Sequence, residues 1–594
     1  MDQAIYKKLI QNDSTLLKNN IIKITDNKYI LNNKYKIGVV TLKKDIAQFV
    51  NNSMQKILID LDKLNGAYTN DMVLVQIIFH PRGRIKAKVI KVIERNNNKI
   101  LCFVDNQNIY TVKDNIKLNT KESLSNYIDG DILVINQNKI INSLGNINNP
   151  KLDEIISLYL KDQEYRSQEY KTNINDEFKI TKRVDLTHLP FCTIDPMSAK
   201  DHDDALYYDK YEHILYVAIA DVSAFIQEGS QLDIEARRRA FSIYLPNKVL
   251  PMIPFSLSAQ LCSLIPDVKR FSFVAKIHLD IKNLTVLNSE FFEATIVSKN
   301  KYSYEEIDNV LEDQNNGYDD ILKLYSITKK FRKKRLADGF DFRTQELRLK
   351  LNKDQSLTHT VVETSSPSHK LVEECMLLAN CQSAKKLNDL GIFRVHDEPS
   401  AKSIEKLIED IAMLGIKAKI KSDIHKTIQA IQSQANQVGL ENEVDELIIQ
   451  SQQQARYGSK SLGHFGLGFK DYSHFTSPIR RYADLVLHRI LKTRQIPKDI
   501  DDICLYISDK EREIATLVWD LEDRKYARWA NENIGIVVEA IVVDTVNSIA
   551  KLTSHMNGVR VICEKYDGEK LFSKIKLKIK SSNIISKEIK GIIL

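Results

Sequence analysis

Between residues 33 and 95, apolar residues come in short alternating runs separated by polar turns. Lys36-Ile37-Gly38-Val39-Val40-Thr41-Leu42 is one, Lys56-Ile57-Leu58-Ile59-Asp60-Leu61 another, and Asp71-Met72-Val73-Leu74-Val75-Gln76-Ile77-Ile78 a third. A fourth, Ile85-Lys86-Ala87-Lys88-Val89-Ile90-Lys91-Val92-Ile93, follows a basic turn, His80-Pro81-Arg82-Gly83-Arg84. Short period-two strands at this spacing predict a small closed barrel of the OB type. Residues 96–145 carry fewer and shorter strands (Ile100-Leu101-Cys102-Phe103-Val104; Asp131-Ile132-Leu133-Val134-Ile135) and predict a second, reduced OB-like barrel. Residues 1–32 read as a short helix and connector, and 146–180 as a polar connector with one helix near 152–163.

From 181 to 500 the period changes. Helical patterns (235–241, 371–387, 403–414, and one from about Pro478 through Leu491) alternate with strands. Ile214-Leu215-Tyr216-Val217-Ala218-Ile219-Ala220 is continuously apolar, as a buried strand is, and ends at Asp221. This is one large α+β domain. A helical segment with paired charges spans 501–533. Residues 534–594 return to strands and predict a C-terminal OB-type barrel. There Lys574, Lys576, Lys578 and Lys580 alternate with Ile575, Leu577 and Ile579. Such a lysine face suits phosphate contacts; it equally suits the blunting of an exposed edge strand. The expected architecture is multidomain α+β, a catalytic α+β domain flanked by small OB-fold barrels of cold-shock type.

The chain of 594 residues has a net charge of +8, compatible with a polyanionic partner. Its seven cysteines are scattered with no CxxC pair, which predicts free thiols in a reducing compartment. Gln11-Asn12-Asp13 interrupts any signal pattern, and no apolar run reaches transmembrane length. A cytoplasmic monomer away from membranes is expected.

Against this basic background stands Thr193-Ile194-Asp195-Pro196-Met197-Ser198-Ala199-Lys200-Asp201-His202-Asp203-Asp204-Ala205. Asp195, Asp201, Asp203 and Asp204 fall within ten residues, between apolar segments that look buried. Carboxylates gathered there repel unless a cation joins them, and a hard divalent ion such as Mg²⁺ fits oxygen donors. Two such ions about 4 Å apart are the usual device for phosphodiester hydrolysis. A surface acidic loop is the plain alternative.

Further candidates are aromatic and cationic. Tyr244 precedes Leu245-Pro246 in a loop-like context, and Phe342 sits in Phe340-Asp341-Phe342-Arg343. Both could stack bases, although either alone fits packing as well. In Phe475-Thr476-Ser477-Pro478-Ile479-Arg480-Arg481-Tyr482, Pro478 is expected in the first turn of a helix. Arg480 and Arg481 would then make a phosphate clamp at its N-terminus, or a salt bridge to a carboxylate. Leu462-Gly463-His464-Phe465-Gly466-Leu467-Gly468 fits no nucleotide-binding fingerprint and suggests tight packing. Three classes remain open on these residues: a ribonuclease, another two-metal enzyme such as a DNA exonuclease or nucleotidyl transferase, and an idle RNA-binding protein.

With these motifs the chain resembles the ribonuclease II family of RNB-type exoribonucleases, its ribonuclease R branch most closely. The four-aspartate block carries the resemblance, together with Lys370-Leu371-Val372-Glu373-Glu374-Cys375-Met376-Leu377-Leu378-Ala379-Asn380, Arg394-Val395-His396-Asp397-Glu398-Pro399-Ser400 and the stretch 474–484. It departs from the family at Ala224 and at Gln450-Ser451-Gln452, none of them a metal ligand. The resemblance implies processive 3′→5′ hydrolysis of RNA to nucleoside 5′-monophosphates, and action on structured RNA with a 3′ overhang, in RNA decay and quality control. It implies that Asp195, Asp201, Asp203 and Asp204 hold Mg²⁺, as one or two ions that Mn²⁺ can replace, with Asp203 most critical. It further implies that Tyr244 holds the 3′-terminal nucleotide, Phe342 clamps the base stack, Tyr304 and Glu373 help select ribose, and Arg480 contacts the scissile phosphate. The implied partner is single-stranded RNA at its 3′ end; an RNA helicase or a degradation assembly would be a compatible protein partner.

Overall fold

The computed structural model describes residues 6, 15–25, 28–43, 46–51, 56–65, 67, 71–79, 85–94, 99–118, 120, 122–136, 138–167, 182–313, 317–342, 346–387, 390–421 and 423–594. The basic turn at 80–84 and Arg343 lie outside them. Residues 1–160 with 583–587 form one compact unit, and the remainder a second.

In the first unit, strands Tyr35–Lys43, Ile46–Asn51, Lys56–Ile59, Met72–Phe79 and Ile85–Glu94 close into a barrel. Closure includes a parallel pairing of the third and fifth strands, Leu58↔Lys86 and Ile59↔Ala87. Alternate residues point inward, so Val40, Phe49, Ile57, Val73, Val75 and Val89 make the core. Gly38 permits close approach of two strands, because a Cβ there would stand 2.2 Å from the Val50 carbonyl oxygen. Lys86 pairs with Asp60 at 2.5 Å.

Two expectations change here. Instead of a plain connector, Ile22–Thr25 and Lys28–Leu31 form an antiparallel hairpin. Its four-residue strands bury only Ile22 fully, too short an alternation to stand out from polar sequence. And the second strand-rich stretch is a five-stranded sheet, with Ile100–Asp105 and Asp131–Asn136 central and Lys117–Leu118 and Lys139–Asn146 at its edges. Among the described residues the edges do not pair, so the sheet is open rather than barrel-closed. Both its faces are covered: Ile132 and Val134 pack with the helix Leu152–Leu160, while Leu133 and Ile135 face a second cluster. That two-sided burial explains the continuous apolar run.

The second unit is built on a mixed sheet of β1 (Val184–Asp185), β2 (Phe191–Asp195), β3 (Asp204–Asp209), β4 (Ile214–Ala220), β5 (Lys269–Asp280) and β6 (Thr285–Ser303). The order is β1-β6-β2-β3-β4-β5, and β6 also pairs with β5. The 19-residue β6 does both: its first part pairs antiparallel with β5 and its last part parallel with β2. The helices are α1 (Gln231–Arg239), α2 (Asp319–Arg335), α3 (Pro367–Lys385), α4 (Tyr482–Thr493) and α5 (Ile500–Glu532). Leu215, Val217 and Ile219 of β4 meet Leu371 and Cys375 of α3 and Leu485 and Leu487 of α4 in the main core. All seven cysteines are buried free thiols. Helices Ala401–Ala412, Ile424–Val438 and Glu441–Ser451 enclose a smaller cluster that includes Phe340.

Helix α5 runs 33 residues. Ile500, Ile503, Cys504 and Ile507 belong to the main core; Ala527, Trp529 and Ala530 belong to the core of the C-terminal barrel. That barrel is closed, with strands Val537–Asp544, Ile549–Leu552, Arg560–Glu564, Lys574–Asn583 and Glu588–Ile593. Its strand order and parallel closure repeat those of the first barrel, which is OB topology. Lys574, Lys576, Lys578 and Lys580 are exposed and Leu577 and Ile579 buried. The strand has neighbours on both sides, so edge-blunting does not account for the lysines. No described helix is long and apolar enough to cross a membrane.

Candidate functional site

Strand β2 ends at Asp195 and β3 begins at Asp204, so the intervening loop sits at one end of the sheet. The loop is pinned on several sides. Ser263 Oγ donates to Lys200 O (2.8 Å) and accepts from the His202 N–H (2.9 Å). Lys301 Nζ donates to Ala199 O at 3.1 Å. His202, buried within the acidic block, places Nδ1 2.6 Å from Asp195 Oδ2. Nothing in the sequence argument singled out this histidine; its place between Asp201 and Asp203 is the one clue it offered.

Asp201 and Asp203 each have their own partner. Asp201 Oδ2 accepts from the Tyr244 hydroxyl at 3.2 Å, and the Tyr244 ring is otherwise well exposed. Asp203 is buried; one carboxylate oxygen accepts the Ile479 N–H at 2.9 Å, and the other lies 3.6 Å from Arg480 Nε. The Arg480 side chain is 41% exposed and donates from Nη2 to Ser477 Oγ at 2.9 Å. This arrangement corrects the expected helix start. Helix α4 begins at Tyr482 rather than near Pro478, because Arg481 is extended (φ −133°, ψ 121°) and the Tyr482 N–H, which would otherwise close a turn on Pro478 O, goes to Ala240 O at 2.8 Å. Arg480 therefore rides on a turn, not on the first turn of a helix.

The chain's own arginines compensate these carboxylates only in part. Burial pushes Asp203 well above the usual carboxylate range, with Arg480 only partly offsetting it. Burial and the Asp195 carboxylate raise Asp204 to about 8. Among the described residues no three carboxylate, imidazole or thiol groups form a ready-made metal cage. The donors are nonetheless all hard oxygens held in a desolvated, like-charged group, and that chemistry fits Mg²⁺ completed by substrate oxygens.

Other site candidates fall into place around this group or apart from it. Tyr304 begins the helix Tyr304–Asp313; its phenol is pushed up by burial and by the Asp204 and Asp195 carboxylates. Its ring stacks on His369 at 3.7 Å between centroids. Phe342 and Glu373 make a second group. Phe342 stacks on Phe340 (5.8 Å), and Arg332 of α2 pairs with both Asp341 and Glu373 at 2.8 Å. The structure places Arg481 differently from the expected RNA contact: Nε and Nη2 donate to Asp484 Oδ2 and Oδ1 at 2.9 and 2.8 Å, in the interior. The salt-bridge alternative holds for this arginine. The glycine-rich loop is packing, since a Cβ on Gly468 would stand 2.3 Å from Asp338 O.

Comparison with known families agrees with this domain order. The RNB domain model matches residues 183–494. Models of the first, N-terminal OB domain and the second OB domain of ribonuclease R match residues 3–88 and 92–158. A Helicobacter pylori ribonuclease R (strain 26695) is 34% identical over 474 residues, covering 75% of this chain and 73% of its own. The chain belongs to the ribonuclease R family of RNB-type exoribonucleases. The ribonuclease R fold extends to solved structures. Apo Mycoplasma genitalium RNase R superposes with a TM-score of 0.80 at 22% identity, covering 94% of this chain and all of that one. Yeast Ssd1, described as a pseudonuclease, shares the fold at a TM-score of 0.63 and 17% identity, over 89% of this chain and 79% of that one. The ribonuclease R architecture is thus common to an RNase and a pseudonuclease, and the site residues must decide between them.

Proposed function

We propose that this protein is a processive 3′→5′ exoribonuclease that releases nucleoside 5′-monophosphates. The observation that carries the proposal is Asp203, a buried carboxylate held by the Ile479 N–H and facing the half-exposed Arg480, with Asp195, Asp201 and Asp204 beside it. An idle RNA-binding protein has no use for carboxylates this far out of balance.

Asp195, Asp201, Asp203 and Asp204 would hold Mg²⁺, as one or two ions, or Mn²⁺ in its place. When bound, the metal supplies positive charge for the phosphate oxygens and makes a water acidic enough to attack in line. The chain's own groups do the rest. Tyr244, exposed beside Asp201, stacks on the 3′-terminal nucleotide, and Phe342 supports the bases behind it. Tyr304 and Glu373 face the terminal riboses, where a 2′-hydroxyl separates RNA from DNA. The backbone N–H of Ile479 keeps Asp203 aimed at the site. Arg480 leaves its loose contact with Asp203 for the phosphate, where charge develops during attack. The exposed lysines of the C-terminal barrel attract the RNA backbone, and a duplex with a 3′ overhang is a fitting substrate.

The test is digestion of a 5′-labelled RNA, as a single strand and as a duplex with a 3′ overhang, beside DNA of the same sequence. A ladder shortening from the 3′ end, 5′-monophosphate products, intact DNA and arrest by chelator are expected. Binding without cleavage in Mg²⁺ or Mn²⁺, internal cuts, or equal digestion of DNA would overturn the assignment.

A further inference from the structure

Helix α1 ends at Arg239, and Ala240 turns the chain with φ +60° and ψ −37°. A residue with a Cβ adopts that conformation only where its surroundings impose it. The turn has consequences at the site. Ala240 O accepts the Tyr482 N–H at 2.8 Å, Phe241 bridges to Arg481, and the Ser242 N–H donates to Arg480 O at 3.0 Å. Two residues later the chain reaches Tyr244. One strained turn therefore sets both the aromatic beside Asp201 and the backbone of the arginine facing Asp203.

Arg166, in the short helix Glu164–Ser167, holds that turn. Its Nη1 donates to Phe241 O at 2.7 Å and its Nη2 to Arg239 O, the carbonyls on either side of Ala240. Its Nε donates to Gln163 Oε1 at 2.6 Å, and Gln163 Nε2 in turn donates to Glu513 of α5 at 2.6 Å. Arg166 is 3% exposed, and its hydrogen-bond partners are neutral oxygens. Burying a cation on such partners is unfavourable unless its geometry is needed. A planar fork presents separate nitrogens to the two carbonyls in fixed geometry; an ammonium offers one nitrogen on a flexible stem.

We propose that Arg166 is a positioning residue of this site: it clamps the turn at Ala240 so that Tyr244 and Arg480 face the aspartates. The proposal rests on the exoribonuclease reading. It predicts coupling between Arg166 and Ala240, because glycine takes positive φ without strain and needs no clamp.

The test compares Arg166→Met, Arg166→Lys, Ala240→Gly and the Arg166→Met/Ala240→Gly double variant. In an Asp203→Asn background, an RNA with 2-aminopurine at its 3′ end reports stacking on Tyr244 as quenching. Arg166→Met is expected to lose most of that quenching and, with Asp203 intact, to lower kcat on the order of tenfold with a smaller change in KM. Arg166→Lys should fall between, and the double variant should regain at least half of both signals. Wild-type quenching and kcat in Arg166→Met, or a loss that Ala240→Gly leaves unrepaired, would overturn the proposal. If Arg166→Met fails to fold, the same comparison is made on Arg166→Lys. A wild-type protein that cleaves no RNA would instead sink the exoribonuclease reading, a separate outcome.

Discussion

Two buried acidic centres lie on neighbouring strands of one sheet and are treated oppositely. Asp221, just after β4, has both oxygens within 2.6 Å of Lys492 Nζ, and Arg183 Nη2 is 2.7 Å from Oδ2. Burial works against its charge, yet Lys492 and Arg183 hold it down at about 2. Asp203 and Asp204 begin one strand away, since Asp204 pairs with Ile219. Asp203 faces the partly solvated Arg480, Asp204 is offset only in part by Arg480 and Arg481, and both are raised instead. A carboxylate with full compensation within the chain needs nothing further; one left short of positive charge takes up a proton or, as proposed for this site, a cation from outside. Sequence shows both as aspartates near strand ends, and only the third dimension separates them.

This contrast can be broken in graded ways. The largest effect is expected from Asp203→Asn, which should lower RNA cleavage by about 10³-fold or more, while its melting temperature holds or rises because a neutral amide suffers less from burial. Mg²⁺ should raise the melting temperature of the wild type and do so much less in this variant. Retained cleavage would show that Asp203 is merely structural. Asp221→Asn should do the reverse, costing about 3 kcal/mol in denaturant unfolding by leaving Lys492 and Arg183 with Glu293 as their one carboxylate partner, with the folded fraction still cleaving. Its folded pKa lies below the unfolded value, so its contribution is present above about pH 4 and lost as pH falls through about 2, roughly 2–3 kcal/mol in all. Acid unfolding unchanged by the substitution would contradict this. The smallest effect separates two adjacent residues. Arg481→Lys should lower stability by about 1–2 kcal/mol, because a single ammonium nitrogen does not reproduce the two parallel N–H bonds that the guanidinium makes to buried Asp484. Arg480→Lys should leave stability nearly unchanged and slow cleavage instead; equal behaviour of the two would mean that their different burial has no consequence.

How much was legible follows from where the partners lie. The aspartate block could be read because its members are adjacent in sequence and carry their own chemistry. The lysine alternation at 574–580 was equally visible, but only barrel closure removed the edge-strand explanation. Arg480 and Arg481 look alike in sequence; what divides them is Asp484, near enough to claim one and not the other. Tyr244 and Phe342 were visible as aromatics that could stack bases, but their roles, and Tyr304 and Glu373 altogether, came from family resemblance, since an isolated aromatic or glutamate has no signature. Arg166 was not legible at all. Its partners are backbone carbonyls 73 and 75 residues away, and a carbonyl leaves no trace in side-chain pattern.

Helix α5 carries one end in the main core and the other in the C-terminal barrel. Inserting or deleting a single residue within it would rotate whatever lies beyond by about 100° and shift it by about 1.5 Å. Its two ends could then no longer both find their sockets. Surface loops can lengthen with little penalty, but this helix can change length only in steps near a whole number of turns. Across relatives, length variation should therefore gather in the loops and spare this segment, a register that drift in sequence alone does not disturb.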